Sequence, residues 1–353
     1  MSQPCPGADA ITCRHLLVPV DETGEAMATV VGAIELARIA DARITFIHAP
    51  HLAVATPYGQ VNRGRELLGK AESVARAHGV PCASAGTNGG NPQAAILAAA
   101  LEAGCDLVFI GAHAHGASSG AMTRSLLLAV LAASIPVFVM PNAAPVKPVP
   151  AVQCIRDEHR ALGAVLRAWL DMLMAANDHG TTVEVRVMRS MIRFIQTFPI
   201  ARHHARKQAC LFGRLRRRTA RADAELDELE RQHERDAQWA GALAEAVEKF
   251  AAGGPLAELL SKVDHYAQFA WALMGREEGV ILPAARRHLT EADWDKINAA
   301  YCAANTSTAP GVRAGGHEDR PFDPLLACLA GLPDADCLAR ICSQVEDGST
   351  TFR

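Results

Sequence analysis

Residues 14–48 read RHLLVPVDETGEAMATVVGAIELARIADARITFIH, and this stretch decides the fold class of the first half of the chain. The run at 14–20 is apolar and ends at Asp21, the pattern of a strand followed by a turn. Residues 25–40 bring Val30, Ile34, Leu36 and Ala37 to helical spacing. Residues 43–48 (RITFIH) alternate into a second strand. Strand, helix and strand in so short a stretch make a βαβ unit.

The alternation continues outward. Pro57 and Gly59 break a loop. A helix is then predicted at 63–78, a short strand at 80–85, and a helix at 92–103 after Asn91. Residues 106–110 (DLVFI) form a strand, 121–133 a helix, and 135–140 (IPVFVM) a fifth strand. Helices of this length between strands imply right-handed crossovers and a mainly parallel sheet. In such sheets ligands sit beyond the carboxyl ends of strands, at the switch point. That brings Asp21, after the first strand, near Gly111 to Gly116, after the fourth.

Composition sets the outer bounds. The 353 residues suffice for two domains, and half of them are hydrophobic, which argues against disorder over most of the chain. A formal charge of −3 gives no whole-chain field toward nucleic acid or an anionic membrane. The longest apolar run, Leu126 to Val139, is broken by Ser134 and Pro136 and reads as helix then strand, not as a membrane span. The first ten residues lack the pattern of a secretory signal, so a cytoplasmic location is expected. The ten cysteines are scattered with no CxxC pair, as expected of reduced thiols. No Ser/His/Asp arrangement, P-loop or dinucleotide fingerprint is in place, so no enzyme is expected.

Residues 141–150 (PNAAPVKPVP) hold four prolines and predict an extended, semi-rigid connection. The expected organisation is an α/β domain at 12–142, a linker at 143–152, a helical domain at 153–301, and a mobile segment with a C-terminal tail at 302–353.

The second half predicts an all-α antiparallel four-helix bundle. Residues 153–175 space Ile155, His159, Leu162, Leu166, Leu170 and Leu173 by threes and fours. Residues 183–210 carry Met188, Met191, Ile192 and Ile195 as a stripe, and Pro199 should kink or split this helix. Residues 222–251 align Leu226, Leu229, His233, Ala237 and Ala240, and residues 255–287 align Tyr266, Phe269, Leu273, Met274 and Glu277. His159, His203, His233 and Glu277 thus recur one per helix on the apolar side. Buried imidazoles and carboxylates need partners, and a shared iron or manganese ion is one way to supply them.

The wording of both halves is familiar. "LLVPVDET" (16–23), "GNPQAAILAAALEAGCDLVFIGAHAHG" (90–116) and "RSLLLAVLAASIPVFVMP" (124–141) resemble the universal stress protein family. That resemblance implies a doubly wound five-stranded sheet. It also implies, by analogy with the members that bind ATP, a Gly-x2-Gly-x9-Gly-(Ser/Thr) loop after the fourth strand. The positions here are Gly111, Ala114, Arg124 and Ser125, so two of three glycines are replaced. Arg124 could meet a phosphate through its guanidinium, Gly116 and Gly120 could lend flexibility in another register, and Asp21 would contact adenine or ribose. The plain alternative for Asp21 is a turn residue capping the first helix, and for His113 and His115 a solvated loop.

"IRDEHRALGAVLRAW" (155–169), "HHARKQACLFGRLRRR" (203–218), "LERQHERDAQWAGAL" (229–243) and "WALMGREEGVILPAARRHLTEADWDKI" (271–297) resemble the hemerythrin HHE cation-binding family. That family implies two irons held by a His, a His-x3-Glu, a His and a second His-x3-Glu. His159, His203, His233 and Glu277 match. The Glu position after His203 is Lys207, the His position before Glu277 is Leu273, and an additional His position used by some members is Ala237. Three readings follow. One metal survives on His159, His203, His233 and Glu277; or no metal binds and Lys207 pairs with Glu277 or Glu278; or His204 and Glu278 replace the missing ligands around two irons. The metal-free reading comes first, because an ammonium at the metal position satisfies the same carboxylate.

Other residues take plainer readings. His204 is expected to face solvent or the adjacent helix, and His265 and His288 the surface. The arginines at 214, 216, 217, 218 and 221 are expected in a solvated turn balanced by nearby acids. Cys210 is expected as a buried thiol. The expected function is a stress-associated sensor or adaptor, with a scaffold lacking both ligand sites, or a di-iron oxygen-sensing or repair protein, as alternatives. A homodimer through the exposed edge of the fifth strand and a protein partner are the expected associations.

Overall fold

The computed structural model describes residues 13–23, 25–49, 57–86, 91–112, 135–141, 149–306 and 325. The chain divides into two compact units, Met1–Ala53 with Leu67–Ala144, and Val54–Glu66 with Pro145–Arg353.

The first unit is built on five strands, β1 (His15–Pro19), β2 (Arg43–Ile47), β3 (Cys82–Ala85), β4 (Leu107–Gly111) and β5 (Val137–Met140). They pair in the order β3-β2-β1-β4-β5, every pair parallel. This is the doubly wound α/β sheet that the alternation of elements implies. Central β1 buries Leu16, Leu17 and Val18 completely, because both faces of an all-parallel sheet are covered. Edge strand β5 leaves Phe138 and Val139 partly exposed, with Phe138 stacked on Phe109 of β4 at 4.9 Å.

Helix α1 (Ala26–Ala40) ends at Asp41, whose left-handed backbone (φ 50°) turns the chain into β2. Helix α2 spans Pro57–Ala77. Helix α3 (Pro92–Glu102) is capped by Asn91, whose side chain accepts from the backbone N–H groups of Gln93 and Ala94, with Pro92 pre-set at the first helical position. The helix expected at 121–133 lies outside the described residues, as does most of the linker.

The second unit is helical. Helix α4 (Pro150–His179) starts on a proline and stops at Gly180, in the left-handed region. The next stretch begins as α5 (Val185–Ile195), passes through π-helical turns at Gln196–His204 and Gln208–Phe212 around the short α6 (Ala205–Lys207), and ends as α7 (Gly213–Arg218). Pro199 was expected to kink or split this helix. At that position the α-helix gives way to a π-helical turn, Gln196–His204, which carries Pro199 inside it. Helix α8 (Asp223–Ala251) opens with Asp223 and Glu225 on its positive end. Helix α9 (Leu256–Arg276) runs into a third π-helical turn, Glu277–Ile281, and on into α10 (Leu282–His288). Helix α11 (Glu291–Thr306) follows.

Two apolar clusters fill this unit. One is built around Trp169, Tyr266 and Trp271 and includes Leu325, and the other around Ile155, Leu215, Leu229 and Leu282. Along each helical stretch a polar residue falls between members of the two clusters: His159 between Ile155 and Leu162, Lys207 between Phe198 and Leu211, His233 between Leu229 and Ala240, and Glu277 between Met274 and Ile281. The packing therefore creates a buried polar layer across the bundle.

Candidate metal centre

The layer converges on one carboxylate. Glu277 stands at the first position of the third π-helical turn and is buried. His159 comes from α4, His203 from the first π-helical turn, Lys207 from α6 and His233 from α8, and all four are buried beside it. All four residues predicted as ligands are thus brought together, and Lys207 stands with them.

The two oxygens of Glu277 have different surroundings. On the Oε2 side, His159 Nε2 lies at 2.9 Å and His203 Nε2 at 3.8 Å, and the two nitrogens are 3.1 Å apart. On the Oε1 side, Lys207 Nζ donates a hydrogen bond and His233 Nε2 lies at 3.1 Å. His159, His203 and Glu277 form one cluster of metal-ligand type, and His204, His233 and Glu277 a second.

The far nitrogens of the first pair are held by carboxylates. His159 Nδ1 is 2.7 Å from Glu278 Oε1, and His203 Nδ1 donates to Glu158 Oε2. Glu158 also accepts from Arg206, whose guanidinium lies 4.3 Å over the Tyr301 ring. An ionised carboxylate only accepts, so both Nδ1 atoms carry hydrogen and, in the neutral ring, both Nε2 atoms present lone pairs. His159 Nε2, His203 Nε2 and Glu277 Oε2 therefore converge on one point, where a proton on His159 Nε2 bridges to Glu277 and a metal ion would take that proton's place.

Charge follows the same division. Burial opposes ionisation of Glu277, but the Lys207 ammonium and the hydrogen bonds from His159, His203 and His233 hold it well below the usual carboxylate range. Burial also opposes ionisation of Glu158, and His203 and Arg206 overcome it, bringing the group to about 2. Burial drives the Lys207 ammonium down against the pull of Glu277. Burial lowers His159 as well, yet Glu277 and Glu278 raise it overall, while burial and Lys207 lower His203.

His204 takes the second of its two expected orientations. It is buried, its Nε2 lies 2.8 Å from Asp236 Oδ2 on α8, and its ring stacks on His233 at 3.8 Å. The π-helical turn brings two consecutive histidines inward, which an α-helical face count does not anticipate. Sequence reasoning missed Asp236, Glu158 and Arg206 here. Asp236 lies one turn beyond His233, and that spacing was the available signal. Leu273, at the lost histidine position, is buried in the apolar cluster around Ile155.

Burial pushes the Asp236 carboxyl up to about 6 from an ordinary 3.8. Between those values the unfolded chain has lost this proton and the folded chain has kept it, so stability falls as pH rises through the window. Asp236→Asn, which still accepts from His204, is expected to remove this component. The urea midpoint, followed between about pH 4 and 6, should then decline less steeply than in the parent protein.

Elsewhere the residues singled out from sequence fall as follows. Asp21 Oδ1 accepts from the backbone N–H and the hydroxyl of Thr23, the turn alternative for this residue. Gly111 ends β4, beside the carboxyl end of β1. Gly116, Arg124 and Ser125, with His113 and His115, lie outside the described residues. Arg216 pairs with Asp223, Asp227 and Glu230, as the balanced-turn reading expects. His265 is exposed, His288 half-buried, and Cys210 a buried free thiol. Among the described residues no helix is long and apolar enough to cross a membrane.

Comparison with known proteins adds the family. The universal stress protein family matches residues 12–141, and the hemerythrin HHE cation binding domain matches residues 151–285. No curated protein matches the chain. Among solved structures, a universal stress protein from Archaeoglobus fulgidus is 22% identical over 36% of this chain and 97% of its own, with a TM-score of 0.32. A universal stress protein family member from Burkholderia pseudomallei is 24% identical over 38% of this chain and 99% of its own, with a TM-score of 0.29. The chain carries a universal stress protein domain joined to a hemerythrin HHE cation binding domain.

Proposed function

We propose that this is a stress-associated sensor or adaptor, not an enzyme, whose bundle binds a transition metal at Glu277 and reports its presence. One observation carries the reading: three atoms of metal-ligand type meet at one point, His159 Nε2, His203 Nε2 and Glu277 Oε2. Lone pairs at this spacing repel unless something positive sits among them. A proton on one imidazole is one answer, and a metal ion is the other. The backing of both Nδ1 atoms by Glu278 and Glu158 favours the metal, because that arrangement fixes the tautomer and orients Nε2 outward from the ring, as outer carboxylates do for metal-bound histidines. Imidazole and carboxylate together suit iron, the ion that the hemerythrin resemblance implies. Bound there, it would supply a redox-active or oxygen-responsive centre. The chain's own residues hold the ligands, exclude bulk water and fix the proton on each Nδ1.

A metal-free scaffold is the second reading, and Lys207 on Glu277 Oε1 favours it. Protein purified anaerobically without chelators, with iron, manganese and zinc measured per chain, separates the two. Bound iron supports the sensor. Absence of metal, persisting after reconstitution with ferrous iron, would leave a scaffold.

A further inference from the structure

We infer that the bundle holds one metal ion per chain, not two, on His159, His203 and Glu277 Oε2, and that the Lys207 ammonium is a permanent second cation on Glu277 Oε1. This rests on the metal-binding reading above and departs from the two-metal pattern that the hemerythrin resemblance implies.

The asymmetry of Glu277 is the argument. Its Oε2 side gathers two imidazole nitrogens whose rings have the other nitrogen backed by a carboxylate, so each Nε2 can yield its proton to a metal ion. Its Oε1 side gathers donors. Lys207 has no acceptor atom at all, and its nitrogen is in direct contact with the oxygen. His233 Nε2 lies within hydrogen-bond reach of the same oxygen. One side is arranged to receive a cation, and the other already has one.

Ligand spacing agrees. Ligands about 2.1 Å from an ion and at right angles to each other stand roughly 3.0 Å apart. Two of the spacings among the two nitrogens and Oε2, 2.9 and 3.1 Å, match this, while His203 Nε2 to Oε2 is wider at 3.8 Å. Two imidazoles and one carboxylate on one face, with open positions opposite, form the donor set of mononuclear non-haem ferrous sites. The second cluster is engaged differently. His204 Nε2 is taken by Asp236, although its Nδ1 and that of His233 are buried without a hydrogen bond, and a metal on Oε1 would stand against the ammonium. Coulomb repulsion between a divalent ion and an ammonium in a low-dielectric layer is severe. Leu273 offers no donor in place of the lost histidine.

The test is anaerobic titration of the chelator-treated full chain with ferrous iron, read as ions bound per chain, with cobalt(II) as a spectroscopic probe of coordination. One ion per chain is expected. Two ions would overturn the inference and leave the metal-binding reading standing; none would overturn both. Lys207→Glu is expected to raise the count from one to two, and a count that stays at one would remove Lys207 as the excluding group. Location is tested by affinity. His203→Gln should weaken binding more than about 100-fold and His233→Gln roughly 10-fold, the latter as an outer-shell change. Equal losses would place His233 in the coordination sphere and sink the single-sided site. Should Lys207→Glu fail to fold, the parent stoichiometry still decides.

Discussion

Replacing Glu277 with glutamine is expected to abolish metal retention and to lower the unfolding free energy of the metal-free protein by about 3–5 kcal/mol. Glu277 and Lys207 are both buried, and each is the other's charge partner. Removing the carboxylate strands an ammonium between two apolar clusters, and an uncompensated buried charge costs far more than the intact pair contributes. The control is Glu277→Gln with Lys207→Met, which removes both charges. It should recover most of the loss in stability and none of the metal binding. Urea unfolding of the three proteins under anaerobic, metal-free conditions gives the comparison. A single-variant loss below about 1 kcal/mol would mean that the ammonium finds another partner or sheds its proton.

Glu158→Gln is the second large effect. Glu158 joins His203 Nδ1 to Arg206 and is itself buried. Glutamine cannot neutralise Arg206, so a loss of about 3–5 kcal/mol is again expected. Its amide can also present a donor to His203, inviting the opposite tautomer. Metal affinity should therefore fall about 10–100-fold, the usual consequence of losing an outer carboxylate. Competition with a chromophoric chelator measures this independently of stability. Adding Arg206→Met should restore stability without restoring affinity. A fall in stability with unchanged affinity would show that packing alone orients His203.

The α/β half was legible because its physics is local. A strand buried on both faces is a continuous apolar run, and β1 is one; Asn91 followed by Pro92 announces a helix start. The bundle's inward residues were legible for a related reason, since apolar stripes at steps of three and four locate His159, His203, His233 and Glu277. What uniform α-helical winding does not anticipate is that His203 and His204 both face inward. Successive residues of an α-helix point about 100° apart, which separates His204 from His203. The π-helical turn at Gln196–His204 draws both inward. The outer carboxylates were hidden differently. Glu158 and Glu278 each neighbour an expected ligand in sequence, yet each reaches across to the histidine of another helix. That relation is tertiary and leaves no spacing to read.

The contact between Lys207 and Glu277 has a consequence for reversibility. A chelator can strip a metal ion from its ligands, but it cannot remove a charge encoded in the chain. With the ammonium in place, Glu277 would keep a counter-ion when a metal left the neighbouring position, so the unloaded bundle would not hold an uncompensated carboxylate in its interior. On the metal-binding proposal, loading and unloading would be a cycle between two folded states and not a passage through unfolding, which is what a reusable reporter requires.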